Sequence, residues 1–292
     1  MSLGLNYKNQ EHVFDEIEAD TPFLEYPLFQ NTGMIKHGFS TRLGGVSEGC
    51  WSSLNLSFTR GDKEENVREN FRRIGASIGV QCCDMVFSQQ THTTNVQAVT
   101  EDDRGNGMTK PLTYTDVDGL VTNVPGICLV TFYADCVPLF FVDPVRRVIG
   151  LSHSGWRGTV GKIGLHTVRL MQEKYGSNPS DILAAIGPSI CQDCYEVSEE
   201  VCDKFRMDFD EQYWEQLFYQ KNAEQKQKGK YQLDLWKANE LIFKEAGILA
   251  EHIAVTNVCT HCNSRILYSH RTTGDRRGNL AAFLALKQEV EL

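Results

Sequence analysis

Positive charge is in deficit in this chain. Thirty-eight acidic residues against 29 basic ones leave a formal net charge of −9 over 292 positions. Nucleic acid and anionic membranes are gripped by a field of the opposite sign, so neither is expected as a partner, and an anionic substrate has to be met by a local cluster of cations. No run approaches the ~20 apolar residues of a spanning helix. The first thirty positions also lack a basic segment followed by an apolar one, so a cytoplasmic location is expected. Histidine is scarce at eight residues, too few for several coupled copper ions. Internal repeats and heptads are missing, and the strongest shift in composition is confined to 207–231.

What the chain does contain is an ordinary globular composition, 41% hydrophobic and 23% charged, enough to build a core. Its ten cysteines are not a disulfide framework, because such frameworks belong to small secreted chains that lack a core. Reduced thiols are the expectation, free for metal or chemistry. Two Cys-x-x-Cys pairs stand out, Cys191/Cys194 and Cys259/Cys262. The roughly sixty-five residues between them exceed the compact zinc ribbons in which this signature is strong, which weighs against one shared four-thiolate site. Neither pair has a thioredoxin-like setting.

The elements read as a mixture. Residues 62–78 carry apolar side chains every three or four positions (Val67, Phe71, Ile74, Ile78), the period of an amphipathic helix, with acidic residues in the first turn to suit the helix dipole. Residues 85–100 read as two strands around a polar break holding Gln89, Gln90, His92 and Asn95. Helices are expected over 159–175, 198–205, 233–246 and 280–287, and strands over 181–189, 253–258 and 265–268. Strands outnumber long helices and several are hairpin-linked, so an α+β class with mixed sheets is expected. We expect residues 1–34 to form an N-terminal extension packed on the core, and 35–292 a single catalytic domain with a solvated insertion near 207–231.

The chemistry concentrates in residues 131–158, TFYADCVPLFFVDPVRRVIGLSHSGWRG. One strand ends at Asp135-Cys136, a second turns at Asp143-Pro144, and a third delivers His153 into a glycine-flanked turn. A hairpin folds the separation of Cys136 and His153 back on itself, so thiol and imidazole can meet at neighbouring strand ends. With His92 they make two imidazoles and a thiolate, a set typical of catalytic zinc with one position left open. The same residues could work without metal, His153 activating Cys136 as a nucleophile. Spacing does not choose between the two. Asp135, next to the thiol, completes the candidate catalytic set.

Several segments together resemble one family. HGFSTRLGGVS at 37–47, SLNLS at 53–57, QQTH at 89–92, DGLVTN at 118–123, ADCVPL at 134–139, GLSHSGWRGT at 150–159, AIGPSI at 185–190 and CT at 259–260 are similar, in this order, to the multicopper polyphenol oxidase or laccase-domain family. That family includes the bacterial YfiH and YlmD proteins and the mammalian purine nucleoside enzyme FAMIN. The resemblance implies a layered α/β/β/α fold related to the cytotoxic necrotising factor catalytic domain, and a zinc held by His92, Cys136 and His153. It implies phosphorolysis of adenosine, inosine and S-methyl-5′-thioadenosine, with adenosine deaminase activity. Copper-dependent polyphenol oxidation and peptidoglycan editing by a cysteine hydrolase are the alternatives it carries. The family's C-terminal Ser-Tyr-Arg-Arg element is replaced by SHRTTGDRRGN at 269–279, with His270 in place of the tyrosine, and Arg271 is carried over ahead of its neighbours.

Substrate contacts are accordingly expected from Arg42, Gln90, Arg157 and Arg271, the arginines as phosphate or ribose anchors. The expected partners are a small-molecule nucleoside and phosphate, acting on a monomer or small homo-oligomer.

Overall fold

The computed structural model describes residues 2–288. Two six-stranded sheets pack face to face. The first contains β1 (Asp15–Ile17), β2 (Phe23–Glu25), β3 (Ile35–Ser40), β4 (Met85–Phe87), β7 (Cys128–Tyr133) and β15 (Leu280–Leu286), in the order β1-β2-β3-β15-β7-β4. The second contains β5 (Val96–Ala98), β6 (Gly119–Thr122), β8 (Val137–Asp143), β9 (Val148–Ser154), β10 (Leu183–Ile186) and β14 (Ile253–Val255), in the order β14-β10-β8-β9-β6-β5. Both sheets are mixed: β4 runs parallel to β7, β5 to β6 and β10 to β14, and the other pairings are antiparallel. Residues 15–25 thus supply the edge strand of the first sheet and its neighbour.

Alternation along each strand makes the layers, since successive side chains point to opposite faces. Phe39, Tyr133 and Leu284 of the first sheet meet Leu120, Phe140 and Leu151 of the second in the central core. The outer face of the first sheet, with Val130 and Phe283, is covered by Val67, Phe71 and Ile74 of the helix Glu64–Ile78. The outer face of the second, with Leu139 and Phe141, is covered by Val168 and Met171 of the helix Ile163–Tyr175 and by Ile242 and Phe243 of the helix Leu235–Glu245. This is the expected α+β arrangement, a layered α/β/β/α stack.

Several local expectations are corrected. The helix expected over 280–287 is β15, seated between β3 and β7 with every residue buried. Leu-Ala-Ala-Phe-Leu-Ala-Leu is rich in helix formers, but alternate residues fill two different cores, and that packing overrides a weak local preference. The helix expected over 159–175 begins earlier, at Trp156, and breaks at Lys162, whose φ of 56° lies in the left-handed region. Residues 265–268 form no strand: the Ile266 and Leu267 N–H groups turn back to the Asn263 carbonyl at 2.8 and 2.9 Å. Nor is 207–231 a loose insertion. It carries β12 (Phe218–Tyr219) and the first half of β13 (Lys230–Leu233), which join β11 (Glu196–Ser198) in a third sheet, and Leu217 and Phe218 enter the second sheet's outer core.

Candidate metal centre and active site

The β8–β9 hairpin brings the thiol and imidazole together. Its turn is fastened by Asp143, whose Oδ1 accepts the Val145 and Arg146 N–H groups at 2.9 Å each. The register pairs Pro138 with His153 and Val137 with Ser154. Cys136, one residue before β8, therefore lies beside His153. His92 arrives from the loop after β4, held at a φ of 67°. The ligand atoms of His92, Cys136 and His153 all lie within 4.8 Å of one another. Cys136 Sγ is 3.9 Å from His92 Nε2, and the two imidazole rings meet edge to face with centroids 5.0 Å apart.

Asp118 organises this cluster, and it held no assigned role in the sequence reading. Fully buried, it receives His153 Nδ1 at 2.7 Å and the backbone N–H groups of Thr91, His92 and Thr93 at 2.9–3.1 Å. One carboxylate thus fixes the ring of one histidine and the backbone of the other. Burial works against its charge, but His153 and the N–H groups hold its pKa below the ordinary carboxylate value. Its signal in the sequence was the DGLVTN segment, which begins at Asp118.

Charge in the cluster is tightly linked. Burial pushes the Cys136 thiol up, yet the neighbouring His153 and His92 more than offset this and bring it down to about 6. Burial likewise pulls His153 down, while Cys136 and Asp118 raise it to about 9. Each group thus favours the charged form of the other, thiolate beside imidazolium. Gly155 keeps the space clear: a Cβ there would sit 2.8 Å from the His92 ring and 3.2 Å from Cys136 Sγ.

His92, Cys136 and His153 border a cavity of about 730 Å³, within the range of small-molecule sites. Phe87, Phe132 and Tyr133 supply aromatic wall, and Arg60 and Arg277 supply charge. Arg277 is only 6% exposed and its Nε has no hydrogen-bond partner. Burial and the like charge of Arg60 lower its pKa to about 10. Two guanidinium groups close enough to repel each other beside one cavity are suited to an anion. The sequence had marked this basic loop but favoured another of its arginines.

The other expected substrate residues divide. Gln90 lines the cavity, but its amide is committed to the wall, donating to the Phe132 carbonyl and accepting the Phe132 N–H, both at 2.7 Å. Arg42 lies in a separate cavity of about 370 Å³, donating to the Ser52 and Ser264 carbonyls and lying over the Tyr268 ring. Arg157 stacks on Trp156 at 4.2 Å and Arg271 on Tyr195 at 5.2 Å. Neither borders the main cavity. The Asp135 carboxylate is committed elsewhere than the Cys136 sulfur: it accepts the Thr260 hydroxyl and the Arg271 N–H, both at 2.6 Å.

Comparison with known proteins identifies the family. Residues 36–287 match the family model described as multi-copper polyphenol oxidoreductase laccase. The chain is 39% identical over 260 residues to the purine nucleoside phosphorylase YlmD of Bacillus subtilis, spanning 89% of this chain and 91% of that one. It is 33% identical over 245 residues to the adenosine deaminase RL5 of an unknown prokaryotic organism, spanning 82% and 90%. The crystal structure of the Bacillus licheniformis hypothetical protein YfiH superposes with a TM-score of 0.86 at 33% identity, covering 95% of this chain and all of that one. Fold and sequence together place the chain in the YfiH/YlmD family of purine nucleoside phosphorylase-like enzymes.

Proposed function

We propose that this chain cleaves purine nucleosides with phosphate, taking adenosine, inosine and S-methyl-5′-thioadenosine to free base and the sugar 1-phosphate, and that the same centre deaminates adenosine. The observation that carries this reading is the convergence of His92, Cys136 and His153 at the edge of a nucleoside-sized cavity that is also bordered by Arg277, whose buried Nε has no partner. Relatives named as a purine nucleoside phosphorylase and an adenosine deaminase support it.

The donor set fits zinc. Two imidazoles and one thiolate leave a coordination position free, as catalytic zinc sites do, and the Asp118 contact leaves Nε2 of His153 as the ligating nitrogen. Bound zinc supplies a Lewis acid that polarises an oxygen and lowers the pKa of a water. Copper accepts the same donors and is the alternative occupant.

The chain's own residues do the rest. In phosphorolysis a phosphate oxygen bonds to the ribose C1′ as the C1′–N9 bond breaks, and the base leaves with that electron pair. Arg277 and Arg60 hold the phosphate. Phe87 and Phe132 offer faces for the flat base, and Gln90 fixes Phe132 in place. Arg157 and Arg271, both near Tyr195, stand outside the cavity lining, and Arg42 belongs to its neighbouring cavity. Asp135 acts on Cys136 through the backbone it anchors.

The test is to incubate metal-quantified protein with adenosine and phosphate and to follow adenine, ribose 1-phosphate and inosine. Wild type is expected to form them and Cys136→Ala not to. Equal behaviour of the two, or copper-dependent oxygen uptake with a catechol and no nucleoside turnover, would overturn the assignment.

A further inference from the structure

The two Cys-x-x-Cys pairs, distant in sequence, are joined in space. The Sγ atoms of Cys191, Cys194, Cys259 and Cys262 all lie within 4.8 Å of one another. We propose that these four cysteines form a second metal centre, a closed tetrathiolate site for a zinc-class divalent ion, which fastens the two turns that hold Asp135 beside Cys136.

The fold explains how the pairs meet. The parallel strands β10 and β14 are extended by a bridge between Ser189 and Cys259, with the Thr260 N–H on the Ser189 carbonyl at 3.1 Å. The first cysteine of each pair therefore lies at the same end of neighbouring strands. Each pair then closes in a tight turn: the Cys194 N–H reaches the Cys191 carbonyl at 3.0 Å, and the Asn263 N–H reaches the Cys259 carbonyl at 3.1 Å. The intervening residues 192–258 are a crossover, built of the third sheet and its helices, that returns to its starting point.

The geometry is that of a ligand cage. A tetrahedral ion with bonds of ~2.3 Å sets its sulfurs ~3.8 Å apart, and Cys194 and Cys262 are 3.6 Å apart. That separation is far beyond a disulfide bond of ~2.0 Å. The Cys191 and Cys262 N–H groups point at Cys259 Sγ at 3.3 and 3.5 Å, contacts that favour a thiolate. Cys191 and Cys259 are buried with Ile190, against Tyr195 and Trp236. The Lys8 ammonium sits against Cys191 and Asp193, where it offsets the net −2 charge of four thiolates around a divalent ion.

The cage reaches the catalytic cluster through Asp135. Ile190, adjoining Cys191, donates its N–H to the Asp135 carbonyl at 3.0 Å, and Thr260, adjoining Cys259, donates its hydroxyl to the carboxylate at 2.6 Å. Asp135 holds a φ of 90°, a left-handed value that L-residues rarely adopt. Both turns thus grip the residue that precedes the catalytic thiol.

The test is metal content in the intact chain purified without chelator. Wild type is expected to carry about two zinc ions, Cys136→Ala about one, and the Cys194→Ser/Cys262→Ser double variant about one. Because that double variant could fold poorly, the second measurement uses Cys136→Ala with all four cage cysteines present. X-ray absorption of its zinc is expected to show four sulfurs at ~2.3 Å, and its cobalt form the intense thiolate charge-transfer band of a sulfur-ligated ion. A Cys136→Ala chain that binds no metal, or a loss of two hydrogens mapping to a Cys194–Cys262 disulfide, would overturn the proposal. Either result leaves the nucleoside reading untouched, since that stands on the other cluster.

Discussion

His92, Cys136 and His153 come from a loop and two strand ends that border a cavity, whereas the four cysteines come from two turns that face each other. The first set has three donors of mixed type, one exposed, one half-buried and one buried. The second has four identical soft donors, Cys191 and Cys259 buried, Cys194 half-buried and Cys262 exposed. An ion held by three ligands keeps a position for substrate, and an ion held by four does not. The same fold thus separates a place for chemistry from a place for fastening, and joins them through one aspartate.

The largest effect that would break this contrast is expected at Cys136. Cys136→Ala should reduce nucleoside turnover roughly thousand-fold or more, the several kcal/mol a Lewis acid contributes, measured as product release with adenosine and phosphate. Next is reactivity in metal-free protein. With the thiol at about 6, Cys136 should hold roughly thirty-fold more thiolate at pH 7 than an ordinary cysteine. Its carbamidomethylation, followed by peptide mass mapping, should rise through pH 6 rather than pH 9, and added zinc should suppress it.

Asp118→Asn should cost about 10–100-fold in metal affinity or turnover, read by chelator competition alongside kcat. An unchanged affinity and rate would mean that Asp118 serves the loop and not the ligands. The smallest effect is expected at the cage, where Cys262→Ser should lower the chelator-sensitive Tm by several degrees, at ~2–4 °C per kcal/mol for a chain of this size, while turnover persists. A loss of turnover equal to that of Cys136→Ala would erase the distinction between the two clusters.

The hairpin carrying Cys136 and His153 was legible because everything that builds it is local: two apolar runs, an Asp-Pro turn and a short separation. The layered class followed from the mixture of elements together with the family resemblance, and His92 from the zinc-type donor set it completes with Cys136 and His153. The cysteine cage was not legible, since its ligands meet through a parallel strand pair linked by a long crossover, and sequence spacing is silent about such pairings. β15 was misread because leucine and alanine alternate as well for a twice-buried strand as they cluster for a helix. Arg277 and Arg271 occupy the same basic loop, and only burial separates the guanidinium bordering the cavity from the one stacked on a tyrosine.

The central place of β15 has a consequence for how the molecule is made. β3 and β7 are its two neighbours, so during synthesis each waits with one open edge until residues 280–286 have been made. Unpaired edges of this kind are templates for association with other chains. The β8–β9 hairpin can form early from its own residues, but the first sheet closes only when β15 arrives, which makes a chain cut before residue 280 prone to aggregate rather than merely inactive.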